Sequence, residues 1–244
     1  MKITIITVAL NEIKTIQKTL SSVAKQSYAD IEHIIVDGGS SDGTFELAAE
    51  YAKTVKYPVK LIKQTYNGRI YGALNEGIIH ASGDIIATLH ANDFYTSEDE
   101  ISMVVDAFTQ SGASMIYGNV YFVNSKGKRS RTYSAKKFKK ELLLNGFMPP
   151  HPACFIKKEL FEKYGLYANE YIIAGDFELI IRMFLNNVEP IAYLDRDIVA
   201  MSPGGISQQI KNRIFVTNRE KFKALKDNNF NINPIRLLKR YLYI

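Results

Sequence analysis

Three acidic positions, far apart in the chain, each stand where a run of apolar residues stops. The first apolar run, Ile85-Ile86-Ala87-Thr88-Leu89, follows Gly83-Asp84 and breaks into His90-Ala91-Asn92-Asp93. A short apolar run between turn signals reads as a strand buried on both faces, as in a parallel sheet. Open α/β sheets bind ligands just beyond the carboxyl ends of their strands, so His90, Asn92 and Asp93 are delivered to a ligand crevice. A carboxylate there can hold a hard divalent cation, and the cation can hold a diphosphate. The second position is Asp37, at the end of His33-Ile34-Ile35-Val36 and at the head of Gly38-Gly39-Ser40-Ser41-Asp42-Gly43-Thr44. Its glycines allow close backbone approach, and its carboxylate can accept from a base N–H or a ribose hydroxyl. The third is Asp176, after Tyr171-Ile172-Ile173-Ala174-Gly175 and at the start of a helical pattern. A carboxylate there that faces a cleft can act as a general base. Each site also has a purely structural reading: a turn residue at Asp93, an Asx turn at Asp37, a helix cap at Asp176.

The elements that must position these groups alternate. Residues 2–10 read as a buried strand, with Asn11 capping a helix built on Ile13, Ile16, Leu20 and Val23. Strands follow at 32–36 and 59–63, with helices at 45–56 and 70–81, before the strand that ends at His90. Strand and helix in strict alternation is the doubly wound α/β pattern. A helix over 97–110 and a strand over 114–117 continue it. The pattern then changes to a β-hairpin over 120–123 and 128–133 and a basic amphipathic helix over 135–144. The rigid turn Met148-Pro149-Pro150-His151-Pro152 leads to a strand at 153–156 and a helix at 158–164. After the Asp176 helix come strands at 190–194 and 197–201, a Gly204-Gly205 loop read as mobile, and a polar helix over 208–227. The tail, 236–244, mixes basic and apolar residues, which suits a membrane surface and equally suits a cover over the chain's own core.

Composition narrows the class. With 244 residues, 46% hydrophobic and 23% charged, the chain can bury a substantial core. Its single cysteine, Cys154, excludes an intramolecular disulfide and a multi-cysteine metal site, and reads as a small buried hydrophobe. No run has transmembrane length and the first apolar run reads as a strand rather than a leader, so the expectation is a cytoplasmic protein. The net charge of +6 suits an anionic partner: a nucleotide, anionic lipid headgroups or nucleic acid. No zinc-finger or RNP-type motif supports nucleic acid.

Taken in order, a set of segments resembles the family-two inverting glycosyltransferases of GT-A fold, of the bacterial surface-polysaccharide type. They are Thr7-Val8-Ala9-Leu10-Asn11-Glu12, Val36 through Thr44, Ile70-Tyr71-Gly72-Ala73-Leu74-Asn75-Glu76-Gly77, Gly83-Asp84-Ile85-Ile86, Asn92-Asp93, His151-Pro152-Ala153-Cys154-Phe155, Asp176-Phe177-Glu178-Leu179 and Gly204-Gly205-Ile206-Ser207. The resemblance implies a doubly wound, mostly parallel sheet with a small mixed C-terminal part. It divides the chain into a nucleotide-sugar-binding half (1–118), an acceptor and catalytic-base half of the same domain (119–210), and a C-terminal helix and basic-aromatic tail (211–244). By position, Val8, Asn11, Glu12 and Asp37 would hold the nucleotide. Asp93 would bind Mn²⁺ or Mg²⁺, with Asn92 beside it where the family usually has Asp. Asp176 would be the base. His151 and the Gly204-Gly205 loop would lie near the diphosphate or acceptor. Arg69 stands where the family has Gly and would reach phosphate or solvent.

The implied activity is metal-dependent, inverting transfer of a sugar, most readily from a UDP-hexose, to a hydroxyl of a glycan or lipid-linked oligosaccharide. Work on O-antigen, capsule or a similar polysaccharide would place it at the inner membrane face, as a peripheral protein on an anionic surface. Two other readings stand beside it. A non-catalytic nucleotide-sugar-binding protein is favoured by the neutral Asn92. A sugar-nucleotide nucleotidyltransferase would need a Gly-rich basic loop after the first strand, where this chain has Ala9-Leu10-Asn11-Glu12.

Overall fold

The computed structural model of the chain describes residues 1–186, 188–204 and 213–242. In chain order they form β1 (Ile3–Ala9), α1 (Ile16–Ala24), β2 (Ile31–Asp37), α2 (Thr44–Ala52), β3 (Val59–Lys63), α3 (Arg69–His80), β4 (Ile85–Thr88), β5 (Asp93–Tyr95) and α4 (Glu100–Ser111). There follow β6 (Met115–Val123), β7 (Arg129–Tyr133), β8 (Cys154–Lys157), α5 (Lys158–Tyr164), α6 (Gly175–Leu185), β9 (Ile191–Met201) and α7 (Arg213–Asp227). Short 3₁₀ turns lie at Lys140–Asn145, His151–Ala153 and Pro234–Leu242.

All nine strands belong to one sheet, in the order β3-β2-β1-β4-β8-β6-β9-β5, with β7 paired to β6. The first four are mutually parallel. β8 then runs antiparallel to both β4 and β6, while β9 returns parallel to β6. Because β8 is reversed, the residues that precede it sit beside the carboxyl end of β4. Ala87 pairs with Phe155, which places the turn that holds His151 past the carboxyl end of β4.

β1 shows why the sheet takes helices on both faces. All its residues are buried. Ile6 and Val8 point into a cluster with Tyr71, Leu74 and Ile78 of α3 and with Ile180 and Ile181 of α6. Ile3 and Ile5 point the other way, toward Ile101, Val104 and Phe108 of α4. Ala9 joins Ile16 and Leu20 of α1. This is the period-two alternation of a strand meeting the 3.6-residue stripes of helices. The layers are close: a Cβ on Gly77 of α3 would stand 2.5 Å from Ile6 Cγ2.

Three local expectations change. Asn11 caps no helix. It takes a left-handed φ of 55°, and α1 begins at Ile16 behind Thr15. Its side-chain oxygen instead accepts the Ser41 N–H at 2.9 Å. The basic helix over 135–144 is absent, and only Lys140–Asn145 turns, as 3₁₀. Ala135, Phe138, Leu143 and Phe147 are the buried anchors, and that spacing does not lie on one helical stripe. Asn119 Oδ1 also takes the Ala135 N–H, at 2.9 Å. The strands expected at 190–194 and 197–201 are one strand, β9. Asp195 and Arg196, which lie between the two expected strands, are held by Lys136 and Glu100.

The tail covers the chain's own core at two positions. Leu237 and Arg240 are buried, and Arg236 Nε donates to Asn145 Oδ1 at 2.7 Å. Ile235 and Leu238 stay exposed. No helix among the described residues is long and apolar enough to cross a membrane. Residues 205–212 and 243–244, which include Gly205-Ile206-Ser207 and the start of the expected polar helix, lie outside the described residues.

Candidate active site

The carboxyl edge of β2, β1 and β4 gathers the acidic positions. Asp37 is the last residue of β2, and the loop after it is laced to the loop after β1. Ser40 Oγ accepts from Asn11 N at 2.8 Å, Thr44 Oγ1 from Glu12 N at 2.9 Å, and Asp42 Oδ2 from Ile13 N at 3.1 Å. Three successive N–H groups of one loop are thereby satisfied by three side chains of the other. Asp37 is buried. Its Oδ1 accepts the N–H groups of Gly39 and Ser40 at 2.9 and 2.8 Å, and its Oδ2 has no donor. Buried acceptors are ordinarily paired, so this one stands out.

Glu12 leads from that loop to the next acidic group. It lies close enough to Asp93 to oppose its ionisation. Asp93 is buried, and burial pushes its carboxyl up to about 7, against the pull of the Ser202 N–H. No cation among the described residues offsets the cost of its charge. Asn92 turns its amide N–H to Pro203 O at 2.8 Å, which ties the loop after β9 to the Asp93 turn and leaves its own Oδ1 uncommitted. Among the described residues no three His, Cys, Asp or Glu side chains form a cage able to hold a metal. One or two carboxylates suffice when substrate phosphates and water complete the shell, as for Mg²⁺. Asp93, with Glu12 beside it and no counter-ion, fits that kind of site.

His90 sits on the other side of the same turn. Its ring lies 6.2 Å from that of His151, and its Nδ1 is buried without a partner. Burial brings both histidines down to about 4, so both are neutral near pH 7. His151 shares a 2.7 Å hydrogen bond with the Tyr167 hydroxyl, and Tyr167 stacks on Tyr71 at 5.7 Å. The backbone of Tyr167 is fixed from both sides by Asn75, whose amide donates to Tyr167 O at 2.8 Å and accepts from Tyr167 N at 2.9 Å. Asn75 and Tyr71 of α3 thus set the wall of the crevice.

Asp176 completes it. It is the second residue of α6, and the helix has no side-chain cap. Its Oδ1 accepts from Phe177 N at 2.7 Å. Burial raises its ionisation range; Lys221 and His90 work the other way. A Cβ on Gly175 would stand 2.8 Å from the Tyr71 ring, so the absence of a side chain there lets the carboxylate approach the tyrosine wall. Cys154, buried nearby, is held as the thiol by burial.

The structure therefore brings Asn11, Glu12, Asp37, Asn92, Asp93, His151 and Asp176 to one edge of the sheet. Of the other expected residues, Val8 lies differently, and Arg69 takes the solvent-facing one of its two expected placements. Val8 is a core residue whose carbonyl is used by Ala91 N at 3.3 Å. Arg69 is exposed at the start of α3 with a φ of 53° and presents its carbonyl to Gln64. Tyr71, Tyr167 and Lys221 were not anticipated. Tyr71 and Asn75 stand in the 70–77 segment that carries the family resemblance, whereas nothing local marks Tyr167 or Lys221.

Comparison with known proteins places this edge in context. The family profile of Glycosyl transferase family 2 matches residues 4–165. An uncharacterised glycosyltransferase of Mycobacterium tuberculosis is 31% identical over 188 residues, which cover 75% of this chain and 69% of the relative. A PGL/p-HBAD biosynthesis glycosyltransferase of Mycobacterium bovis is 26% identical over 216 residues, covering 87% of this chain and 81% of the relative. Among solved structures, S. aureus TarS 1–349 in complex with UDP-GlcNAc superposes with a TM-score of 0.72 at 15% identity, over 99% of this chain and 72% of that one. The chain spans 44% of the longer TarS chain. A mannosyltransferase of Pyrobaculum calidifontis in complex with GDP-Man and Mn²⁺ gives 0.68 at 18% identity, covering 99% and 69%. The fold is that of the GT-A glycosyltransferases, and with a profile that runs from β1 to the turn after α5, the chain belongs to Glycosyl transferase family 2.

Proposed function

We propose that the protein transfers a sugar, with inversion, from a UDP-hexose to a hydroxyl of a glycan or lipid-linked oligosaccharide in surface-polysaccharide synthesis. The observation that carries this reading is the turn 90–93, which ends on one carboxylate and whose His90 faces a second. On one side Asp93 is buried with no cation beside it among the described residues, and on the other the half-buried Asp176 is close enough to His90 for the two to interact. One carboxylate is suited to a metal-bound diphosphate and the other to the acceptor proton. The relative solved with UDP-GlcNAc and the one solved with GDP-Man and Mn²⁺ support a nucleotide-sugar donor.

In this reading Asp37 Oδ2 receives the nucleotide's missing donor, a base N–H or ribose hydroxyl. Asp93 would hold Mn²⁺ or Mg²⁺, with Glu12 and Asn92 beside it. When bound, that cation would neutralise charge on the departing diphosphate. Asp176 takes the proton of the acceptor hydroxyl as it attacks, and a single displacement inverts the anomeric centre. Neutral His90 and His151 line the wall between them. The exposed Ile235 and Leu238, next to Lys239, make the tail a contact for an anionic membrane surface at the cytoplasmic face.

A thermal-shift and donor-hydrolysis series with UDP-glucose, UDP-galactose and UDP-GlcNAc, with and without Mn²⁺, tests the reading. We expect Mn²⁺-dependent stabilisation by UDP and slow, Mn²⁺-dependent release of UDP. Asp176→Asn abolishes turnover while UDP affinity stays within several-fold. Binding without any turnover of donor in the wild type would favour the non-catalytic reading.

A further inference from the structure

We infer that the C-terminal helix is a working part of the active site: Glu220 of α7 is the positioning residue for the strap that carries Asp176, and Lys221 supplies the positive charge beside it. The inference rests on the reading of Asp176 as the base.

Glu220 is buried, and its carboxylate accepts three consecutive N–H groups: Ile172 at 2.8 Å, Ile173 at 2.8 Å and Ala174 at 2.9 Å. Successive N–H groups converging on one anion form a nest. Here the anion comes from a helix, 46 to 48 residues further along the chain, that stands outside the family-profile match. Ala174 is the residue before α6, whose first N–H groups have no intrahelical acceptor, so Glu220 also complements the positive end of that helix. The carbonyl side of the same strap is pinned as well, by the Tyr71 hydroxyl on Ile173 O at 2.6 Å. Both edges of the peptide run just before Asp176 are thus committed.

Lys221 grips the residue after it. Its ammonium lies 4.3 Å from the centre of the Phe177 ring and donates to Gly146 O at 2.6 Å. The groups that act on Asp176 from the surrounding elements are Tyr71, Tyr133, Tyr167, Cys154, His90 and Lys221. Burial keeps the tyrosines and the thiol protonated and His90 neutral, which leaves Lys221 as the charge that favours ionised Asp176. Burial and Arg240 together bring Lys221 itself down to about 7.

A carboxylate at this place has a mechanical consequence. An error of about 1 Å in the placement of a reacting group costs on the order of 100-fold in rate. Docking of α7 does not depend on Glu220 alone, since Ala224 and Leu225 are fully buried and Tyr171 donates to Asp227 at 2.9 Å. Glu220→Gln therefore leaves the fold in place. It replaces one acceptor by an NH₂ group that faces the strap's N–H donors.

The test combines Glu220→Gln, Lys221→Met and Asp176→Asn, with Mn²⁺-dependent hydrolysis of the preferred UDP-hexose and amide hydrogen exchange as readouts. For Glu220→Gln we expect kcat to fall by about 10- to 100-fold with donor KM within about three-fold. Exchange at 172–174 should quicken while α3 and β1 are unchanged. For Lys221→Met the acid limb of kcat/KM moves to higher pH. Wild-type kcat in Glu220→Gln, with Asp176→Asn inactive, overturns the positioning role and leaves the base assignment standing. Unaltered exchange at 172–174 overturns it too. An unmoved acid limb removes Lys221 from the inference. Turnover by Asp176→Asn sinks the base assignment itself, whatever Glu220→Gln does.

Discussion

At the scale of single residues, Asp93 shows a site that works against the stability of the protein carrying it. Its carboxyl ionises near 7 in the folded chain because burial disfavours the charge. The folded state therefore holds this proton more tightly than the unfolded state does. Stability from this group is full below the ordinary carboxylate range and is lost as pH rises through about 7. Asp93→Asn keeps an acceptor for the Ser202 N–H and removes the ionisation. At pH 8 in EDTA the variant should melt higher than wild type, by an amount on the order of 1–4 kcal/mol in unfolding free energy. Below pH 4 the difference should vanish. Mn²⁺ with UDP should stabilise the wild type and leave the variant unmoved. A melting difference that is the same at pH 4 and pH 8 would show that ionisation of Asp93 is not its source. Asp176 behaves alike in direction, since burial raises it also. As the base must be ionised, kcat/KM should fall on acidification at a pH above the ordinary carboxylate range.

At the scale of elements, the site is made by approach between pieces that leave no room for side chains. The start of α6 meets the ring of Tyr71 from α3, and Gly175 is the residue between them. Gly175→Ala places a Cβ 2.8 Å from ring atoms of Tyr71, closer than van der Waals contact allows, and Tyr71 is held by its bond to Ile173 O. The ring cannot swing away without releasing the strap. We expect Gly175→Ala to cost roughly 1–3 kcal/mol of stability, the usual range for overpacking, and to lower kcat more than it raises donor KM. Urea unfolding and steady-state donor hydrolysis measure the two effects. Unchanged kcat in a folded variant would mean that Asp176 tolerates displacement. The two lacings, loop 11–13 onto loop 40–44 and Glu220 onto 172–174, use one device. Side-chain oxygens of one segment satisfy consecutive N–H groups of another, and that fixes loops that no ladder reaches.

At the scale of the whole molecule, the sheet divides the labour. The parallel strands β3-β2-β1-β4 present Asp37 and the 90–93 turn at their carboxyl ends. The reversed strand β8 brings His151 to the same edge from the opposite direction, and α6 closes it with Asp176. The tail then serves two surfaces: Leu237 and Arg240 go inward, Ile235 and Leu238 outward. If the outward pair contacts lipid, Ile235→Ser with Leu238→Ser should weaken binding to anionic vesicles several-fold, in sedimentation at low salt. Melting temperature and donor hydrolysis in solution should stay near wild type, since both residues are exposed. Equal vesicle binding by wild type and variant would place any membrane contact elsewhere.

The strand-end acids and the alternation of elements were legible in the sequence because they are local. An apolar run, a glycine turn and a 3.6-residue stripe are written within ten residues of each other. That is why β3 falls at 59–63 and α5 at 158–164 as expected, and why Asp37, Asp93 and Asp176 could be singled out. What the tertiary structure alone decided are the pairings between distant segments. The 135–144 stretch has helical composition, yet its anchors Ala135 and Phe138 are claimed by Asn119 and the core, and burial outweighs propensity there. Asn11 has the chemistry of a helix cap and spends it on Ser41 instead. Glu220 and Lys221 look like an ordinary charged pair on a polar helix. Only the packing of α7 against α6 turns one into a clamp and the other into the charge beside Asp176, because hydrogen bonds across 46 to 48 residues leave no periodic trace in the chain.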